Sequence, residues 1–471
     1  MKTWIPLVLI SGAMGAAGCC STASNSQGDA APDLVTPTDT GSDIVSDVSD
    51  VRDVTDASDV SDASDVSDAG DVSDASDVGD VSDVSDAGDV ADVSDVPPTP
   101  CAPCTGDGCA IVEVTTGASY SCARRASGSV LCWGANTYGT LGNGTTTSSS
   151  TPVEVLGVCD AVEVEAGSNA ACARRRSGQI SCWGANISGV LGVGRTPEQL
   201  ALSTTARDVT GLDDATSIDG GAGFFCVVRR GGAVSCWGTN SNGQLGLGVT
   251  DAYRTSPVAV PGITDATRLT TAQSGCALRT GGQIVCWGRN FRGRLGTGDE
   301  ADHFSPTAVA GISNATSVAV GVWHGCALRA DATVSCWGDN ALGELASTPS
   351  PTAVTTPTAI AGVTGVTQLE VGYRHTCVLL GDSTVSCWGK NDLGELGRGA
   401  ASPFEATPAP VMGLRDVTQL TAHSPHDMPV EGGHTCALRR DGAVLCWGKN
   451  DVGQLGDGTT MTRFAPVTVR F

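Results

Sequence analysis

Three things are scarce in this chain of 471 residues: aromatic side chains, positive charge and long apolar runs. Aromatic residues make up 4% and charged residues 17%, while there are 62 glycines, a composition that favours a turn-rich β protein over a helical one. Lysine and arginine number 27 against 51 acids, and the net charge of −24 argues against a nucleic-acid partner. Beyond the N-terminus no run of 18 apolar residues occurs, so the sequence predicts no membrane-spanning helix.

Sequence signatures of catalysis are missing as well. The chain has no serine nucleophile elbow, no phosphate-binding glycine loop that opens a helix, and no metalloprotease helix with paired histidines. Asp-Gly turns vaguely resemble the Asp box of sialidase-like propellers, but they lead into Cys-Trp-Gly instead of that family's ending. We therefore predict a protein that is not an enzyme and uses no cofactor, with a carbohydrate-active hydrolase as the least favoured alternative.

The N-terminus has the pattern of an export signal. Lys2 precedes an apolar run from Trp4 to Ile10, and small residues lead to Ala17-Gly18-Cys19. This resembles a bacterial lipoprotein signal, in which a cysteine is lipidated and becomes the new N-terminus. The resemblance implies a signal peptide over 1–18, lipidation at Cys19, and attachment to the membrane through that lipid alone. Because Ala16 stands where leucine is usual, lipidation of Cys20 or ordinary cleavage near Gly18 stays open.

Most of the negative charge lies in one segment. From Asp47 to Asp95 an aspartate stands at every third position, seventeen in all. A helix would place these like charges at i and i+3, where they repel, whereas an extended polyproline-like chain has three residues per turn. We predict a disordered linker over 19–100 that acts as a self-repelling stalk of roughly 150 Å when extended. Weak calcium binding along the aspartates is a less favoured interpretation, because a mobile chain preorganises no site.

Residues 101–471 form an internal repeat. Cys-Trp-Gly-x-Asn recurs seven times, with the tryptophans 50 to 59 residues apart, and each copy is followed by Gly-x-Leu-Gly or a close variant. In each copy two short apolar runs flank a turn, which predicts a hairpin, and a third and a fourth run adjoin it. Seven repeats of four strands predict an all-β, seven-bladed β-propeller of four-stranded blades, preceded by the acidic stalk.

These motifs resemble those of the regulator of chromosome condensation repeat family, whose members form seven-bladed propellers. The first blade begins with Ala110-Ile111-Val112 and lacks a preceding Pro-Val strand, so we expect the last strand, around Pro466-Val467, to complete it and close the ring. The family includes an exchange factor for a small nuclear GTPase and a plant photoreceptor that uses tryptophan. For an exported chain we expect no GTPase partner, and we expect the seven repeated tryptophans to be packing residues.

Each repeat carries two cysteines ten positions apart, on opposite sides of the predicted turn. We expect these pairs to form cross-strand disulfides; zinc is the rival, but each two-cysteine site would leave the metal under-coordinated. The pairs are Cys122 and Cys132, Cys172 and Cys182, Cys226 and Cys236, Cys276 and Cys286, Cys326 and Cys336, Cys377 and Cys387, and Cys436 and Cys446. Four further cysteines, Cys101, Cys104, Cys109 and Cys159, permit three pairings, and we expect a terminal staple in preference to a redox role.

A candidate binding face is predicted just before the first cysteine of each hairpin, where the repeats differ most. Aromatic residues and arginine there are good interface anchors, although support of the hairpin is an alternative role for these positions. The candidates are Tyr120, Phe224, Trp323, His324, Tyr373, Arg374, His375 and His434.

The last repeat is the longest, and it holds three of the six histidines of the chain within twelve residues. Imidazole and carboxylate are suitable ligands for a divalent transition metal, so one hypothesis is a metal or partner site. Its residues are His423, His426, Asp427 and His434. A polar insertion without a ligand is the alternative.

Together these features predict an exported binding module that is lipid-anchored in the bacterial cell envelope, at the outer membrane or cell surface. Its partner would be an extracellular protein or glycan, recognised by a rigid surface that loses little entropy on binding. The alternative is a structural surface-coat protein without a single ligand.

Overall fold

The structure, a computed structural model, describes residues 99–422 and 433–471. The predicted signal peptide, Cys19 and nearly all of the predicted linker lie outside the described residues. So do His423, His426 and Asp427, three of the four predicted metal ligands. Within the described ranges no helix is both long and apolar enough to cross a membrane.

The described chain folds into seven four-stranded antiparallel sheets, each of which is one blade of a β-propeller. The first strand of every blade lines the central channel. These innermost strands are β1 (Ile111–Thr116), β5 (Ala161–Ala166), β9 (Ala215–Gly220), β13 (Ala266–Thr271), β17 (Ala315–Val320), β21 (Val366–Val371) and β25 (Val417–Ala422). The second strands are β2 (Tyr120–Arg125), β6 (Ala170–Arg175), β10 (Phe224–Arg229), β14 (Ser274–Arg279), β18 (His324–Arg329), β22 (His375–Leu380) and β26 (His434–Arg439).

The outer half of each blade consists of its third and fourth strands. The third strands carry the Cys-Trp-Gly motif and are β3 (Val130–Gly134), β7 (Ile180–Ala185), β11 (Val234–Thr239), β15 (Ile284–Gly288), β19 (Val334–Asn340), β23 (Val385–Asn391) and β27 (Val444–Gly448). The fourth strands are β4 (Ser149–Glu154), β8 (Leu202–Asp208), β12 (Tyr253–Ala259), β16 (His303–Ala308), β20 (Ser350–Ala359), β24 (Ser402–Pro410) and β28 (Arg463–Thr468). Three short 3₁₀ helices are Gly106–Cys109, Ile187–Gly189 and Phe291–Gly293.

The expected strand exchange at the closure is wrong. The first blade takes its outer strand from β4, directly after its own hairpin, and β28 belongs to the seventh blade. No strand is missing, because each repeat begins with its channel strand and ends with its own outer strand. Hydrogen bonds between the two blades close the ring instead: Gly458 N–H donates to Ser150 O at 3.0 Å and Val114 N–H donates to Gln419 Oε1 at 3.0 Å.

Each of the seven cysteine pairs is disulfide-bonded, with the two cysteines directly opposite in the register of the second and third strands. The Cα atoms of each pair are 4.0–4.2 Å apart and all fourteen side chains are buried. Five of the hairpin turns have glycine at a left-handed position. The other two blades adopt the same backbone with Ala332 at φ 60° and Ser383 at φ 65°, so the hairpin survives without glycine.

The seven tryptophans of the Cys-Trp-Gly motif are fully buried, as predicted, and each joins two blades. Every indole Nε1–H donates to a backbone carbonyl in the Gly-x-Leu-Gly segment, or its close variant, of the preceding blade, at 2.8–2.9 Å. The pairs are Trp183 with Thr140, Trp237 with Val190, Trp287 with Gln244, Trp337 with Arg294, Trp388 with Glu344, Trp447 with Glu395, and Trp133 with Gln454. The last of these pairs joins the first blade to the seventh.

The asparagine that ends each motif fixes the loop that follows. In all seven blades its Oδ1 accepts the backbone N–H of the leucine five residues on, as Asn136 does from Leu141 at 2.9 Å. This bond holds the buried leucine against the neighbouring tryptophan. The recurrence of Asn and Leu in the sequence therefore has one structural cause.

The four remaining cysteines of the folded part pair as Cys101 with Cys159 and Cys104 with Cys109. The first disulfide ties the start of the folded chain to the connection between the first and second blades. The second closes a short loop around the 3₁₀ helix Gly106–Cys109. Of the three pairings that the sequence permits, the structure therefore has one.

Candidate functional site

One face of the propeller carries the loops that join first to second strands and third to fourth strands, because the strands of each blade run alternately up and down. We call it the loop face. The opposite face carries the hairpin turns between second and third strands. The eight predicted binding residues lie at or beside the first set of loops, so the loop face is where the prediction placed them.

For five of these eight residues, the structure corrects the predicted binding role. Tyr120, Phe224, His324, His375 and His434 are buried and offer no binding surface. Each stands at the first position of a second strand, from which the side chain enters the interface with the next blade. Tyr120 illustrates this role, since its hydroxyl donates to Ala170 O at 2.7 Å.

The three histidines also form hydrogen bonds across the blade interfaces, through their imidazole rings. In each case Nε2 bonds a hydroxyl of the next blade: His324 to Thr376 Oγ1 at 2.7 Å, His375 to Thr435 Oγ1 at 3.0 Å, and His434 to Ser121 Oγ at 2.7 Å. Burial lowers the pKa of His324 and of His375 to about 3, with His375 and Arg374 adding to the effect on His324 and Lys390 to that on His375. Both rings are therefore neutral in the folded protein at ordinary pH.

Acid should destabilise the propeller through these rings. Between pH 6.5 and pH 3 the histidine is protonated in the unfolded chain but neutral in the folded protein. The free energy of unfolding therefore falls as the pH falls through this range. We expect the free energy of unfolding of the wild type to drop about 2 to 3 kcal/mol more than that of His324→Gln between pH 7.5 and pH 4.5. Denaturant unfolding with the disulfides intact measures it, with His303→Gln in β16 as the control. An equal drop in wild type and His324→Gln would contradict the assignment.

The other three predicted residues come together on the loop face. Trp323 and Tyr373 meet edge to face with ring centroids 6.4 Å apart, and the guanidinium of Arg374 lies 3.9 Å from the Trp323 ring centroid. Phe291, which is 44% exposed, adds a third ring 6.0 Å from Trp323. Two further cations flank these rings, Arg289 over Phe291 and Lys390 over Tyr373. We call Phe291, Trp323, Tyr373, Arg374, Arg289 and Lys390 the aromatic–cation patch.

Buried acids hold the patch in place from beneath. Arg374 Nη1 bonds Asp339 Oδ2 at 3.0 Å and Glu344 Oε1 at 2.6 Å, and both carboxylates are buried. Arg292 approaches Asp339 from the fourth blade at 3.3 Å. Because a paired guanidinium has few orientations, Arg374 presents its face to Trp323 in a fixed geometry.

Sequence reasoning missed half of the patch. Phe291, Arg289 and Lys390 lie in the third strand and its following loop, whereas the predicted binding residues all lie at the loops between first and second strands. The signal was present, because the residue after the motif asparagine varies from blade to blade and is aromatic only at Phe291. A patch on three blades also has no signature within any one repeat.

The central channel is a second polar site. One channel-strand residue in each blade lies opposite the first cysteine of the hairpin: Thr115, Glu165, Asp219, Thr270, Ala319, Glu370 and Thr421. Burial raises the pKa of Glu370 to about 8 and that of Asp219 to about 7. The hydrogen bond from Thr271 Oγ1 to Asp219 at 2.6 Å lowers the pKa of Asp219, but burial has the larger effect. Burial, with Asp219 nearby, also raises the pKa of Glu165 well above its usual range.

The predicted metal site gains no geometry here. His434 is buried between blades, where its ring bonds Ser121 Oγ. The other three residues lie outside the described ranges. Within those ranges no group of three or more His, Cys, Asp or Glu is arranged to hold a metal ion.

Comparison with known sequences identifies the repeat. The profile described as Regulator of chromosome condensation (RCC1) repeat matches residues 127–174 and 281–328, and a second form matches 111–140, 215–244, 315–344, 366–395 and 432–454. The matched ranges reach every blade of the structure. The propeller is built of regulator of chromosome condensation repeats.

Solved structures agree on this fold. Human WBSCR16 superposes with a TM-score of 0.65 at 22% identity, covering 73% of this chain and 94% of that one. Yeast RCC1 (Prp20), in a structure with Kap60 bound, superposes with a TM-score of 0.61 at 17% identity over 78% of this chain and 86% of that one. At these identities the likeness shows the fold alone.

A curated relative matches only a part of each chain. The human protein named probable E3 ubiquitin-protein ligase HERC3 is 33% identical over 105 residues, which is 22% of this chain and 9% of that protein. Most of the relative therefore has no counterpart in the match.

Proposed function

We propose that this chain is a binding protein of the cell envelope, not an enzyme, and that its RCC1-type propeller recognises an extracellular protein through the aromatic–cation patch. RCC1-like propellers bind proteins, and yeast RCC1 has been solved with Kap60 bound. The exported setting argues against a GTPase partner. A glycan is the competing ligand, and the experiment below separates the two.

The observation that carries the proposal is the patch itself. Trp323 is only half-buried, although tryptophan is the residue that gains most from being covered, and aromatic residues and arginine dominate interface energies. Its Nε1–H is enclosed and has no hydrogen-bond partner among the described residues. A partner that covers the exposed face of the Trp323 ring gains apolar and aromatic contact there.

A rigid setting makes the patch more effective. The disulfide in every blade and the tryptophan bond at every blade interface fix the loops that carry it, so little order is lost on association. The envelope tether is proposed from the sequence: a lipid on Cys19 anchors the chain and the acidic linker holds the propeller away from the membrane. Release of Cys19→Ala into the soluble fraction tests the anchor, and its retention in the membrane fraction would contradict it.

Capture by the full processed chain tests the binding function. Wild type would be incubated with envelope extract and culture supernatant, captured proteins identified by mass spectrometry, and the affinity for each measured by surface plasmon resonance. We expect a saturable protein partner whose affinity falls at least tenfold for Trp323→Ala, about 1.4 kcal/mol or more.

A matched pair of arginine variants controls for charge. Arg289→Ala removes a cation of the patch and should weaken binding several-fold. Arg230→Ala removes an exposed arginine from a hairpin turn on the opposite face and should leave binding unchanged. Equal effects of the two arginine variants, or no effect of Trp323→Ala with unaltered melting temperature, would contradict the patch. Binding only to a glycan array would contradict the protein partner.

A further inference from the structure

A cavity of about 170 Å³ opens on the loop face between the second and third blades. It lies where the second blade departs from the repeat. Blades one, five, six and seven place a tyrosine or histidine at the first position of the second strand, and that side chain bridges to the next blade. The second blade has Ala170 there, so no side chain fills this part of the interface.

The lining of the cavity is neutral. Its apolar wall includes Ala170, Val190 and Phe225, and its polar groups are hydroxyls and amides such as Gln244 and Thr239. No charged residue lines it within the described ranges. Phe225 is held in place by stacking on Trp237 with centroids 6.0 Å apart, so the apolar wall is rigid.

Two polar groups at the cavity are not fully used. Ser168 is 4% exposed, and its Oγ has no hydrogen-bond partner among the described residues. Gln244 Oε1 accepts the Asn242 N–H at 2.8 Å, which leaves the amide N–H groups of this buried side chain as donors. A buried hydroxyl without a partner is costly, so a ligand that brings a hydrogen-bonding group to Ser168 gains from it.

We infer that this cavity binds a neutral aromatic ring that carries one hydroxyl, supplied by a tyrosine side chain of the partner protein. The size fits, because a dry apolar cavity of about 150 Å³ holds benzene and a phenol is slightly larger. The chemistry also fits, since ligand cavities combine apolar walls with a few placed polar groups. An ionised ligand would find no counter-charge here.

The cavity adjoins the aromatic–cation patch. Gln273 lines the cavity and accepts a hydrogen bond from Arg294, whose Nε donates to the carbonyl of Phe291 at 3.1 Å. One partner surface therefore reaches both. This inference rests on the proposed function for the source of the tyrosine, but the cavity itself can be tested without any partner.

The test uses small probes on the full chain, with binding followed by NMR chemical-shift titration. The probes are p-cresol, N-acetyltyrosine amide, toluene and methyl α-glucoside. We expect p-cresol and N-acetyltyrosine amide to bind with saturation, toluene more weakly, and methyl α-glucoside not at all. Saturable binding of p-cresol without N-acetyltyrosine amide would overturn the tyrosine as the source, and preferred binding of the glucoside would overturn the phenol chemistry.

Variants locate the binding. Ala170→Leu fills the cavity and should reduce p-cresol affinity at least tenfold. Ser168→Ala is a small change that the fold tolerates, and it should reduce the affinity for p-cresol three- to tenfold while leaving the affinity for toluene unchanged. Ser305→Ala on the outer strand β16 should change neither affinity. Equal p-cresol affinity in wild type and Ser168→Ala would overturn the inference. If Trp323→Ala leaves the affinity for the captured partner unchanged while p-cresol still binds, the result contradicts the proposed function and not the cavity.

Discussion

Replacing Trp133 with alanine should cost about 3 to 5 kcal/mol and open the ring between the first and seventh blades. Trp133 is fully buried, and its Nε1–H donates to Gln454 O across the closure at 2.9 Å. Its ring also meets Phe471, near the C-terminus, edge to face at 5.8 Å. No strand is exchanged at this point, so side-chain contacts together with loop hydrogen bonds carry the connection that a shared strand would otherwise supply.

The comparison with two other tryptophans makes this prediction specific. Trp287→Ala should cost a similar amount at an interface between consecutive blades, whereas half-buried Trp323→Ala should cost much less. Hydrogen exchange should show faster opening of both the first and the seventh blade in Trp133→Ala. Faster exchange confined to the first blade, or equal melting temperatures for Trp133→Ala and Trp323→Ala, would contradict this closure.

Replacing Glu370 with glutamine should stabilise the propeller at alkaline pH. Because the folded pKa is about 8, folded Glu370 keeps its proton between pH 4.5 and pH 8, while the unfolded chain loses it. Stability contributed by the protonated group is therefore lost as the pH rises through this window. Glutamine removes that penalty, and its amide oxygen preserves an acceptor for Gln368 Nε2, now 2.9 Å from Glu370 Oε1.

The expected gain is up to about 5 kcal/mol at pH 8.5 and close to zero at pH 4.5. Thermal unfolding of Glu370→Gln and wild type across this range measures it, and Glu300→Gln, which removes the same charge from an exposed loop, is the control. This dependence has the opposite sign to that of His324, so the two variants shift the pH profile in opposite directions. A gain for Glu370→Gln that is the same at pH 4.5 and pH 8.5 would contradict the protonated channel.

The fold followed from the sequence because its causes are local and repeated. Two cysteines ten positions apart with a turn midway determine a cross-strand pair, and seven tryptophans at a regular spacing need seven equivalent burial sites. The closure did not follow, because the choice between β4 and β28 as the outer strand of the first blade depends on where a repeat begins. A periodic sequence does not mark that point.

The site was harder to predict than the fold. The variable loop before His324 and His375 predicts that they lie on the surface. Because successive side chains of a strand point to opposite sides, a shift of one position along the chain moves a side chain from the surface into the blade interface. Trp323, Tyr373 and Phe291 belong to three different blades, so only the three-dimensional arrangement of the blades shows that their side chains touch. The channel acids Glu165, Asp219 and Glu370 could have been found by aligning the residues that face the first cysteines.

Site-specific photo-crosslinking of a captured partner tests the central claim most directly. The full chain would carry Phe291→benzoylphenylalanine on the loop face or, separately, Arg230→benzoylphenylalanine on the opposite face. The account predicts crosslinks to the partner from position 291 and none from position 230. Crosslinks from position 230 without any from position 291 would show that the partner binds elsewhere, and would contradict the assignment of function to the loop face.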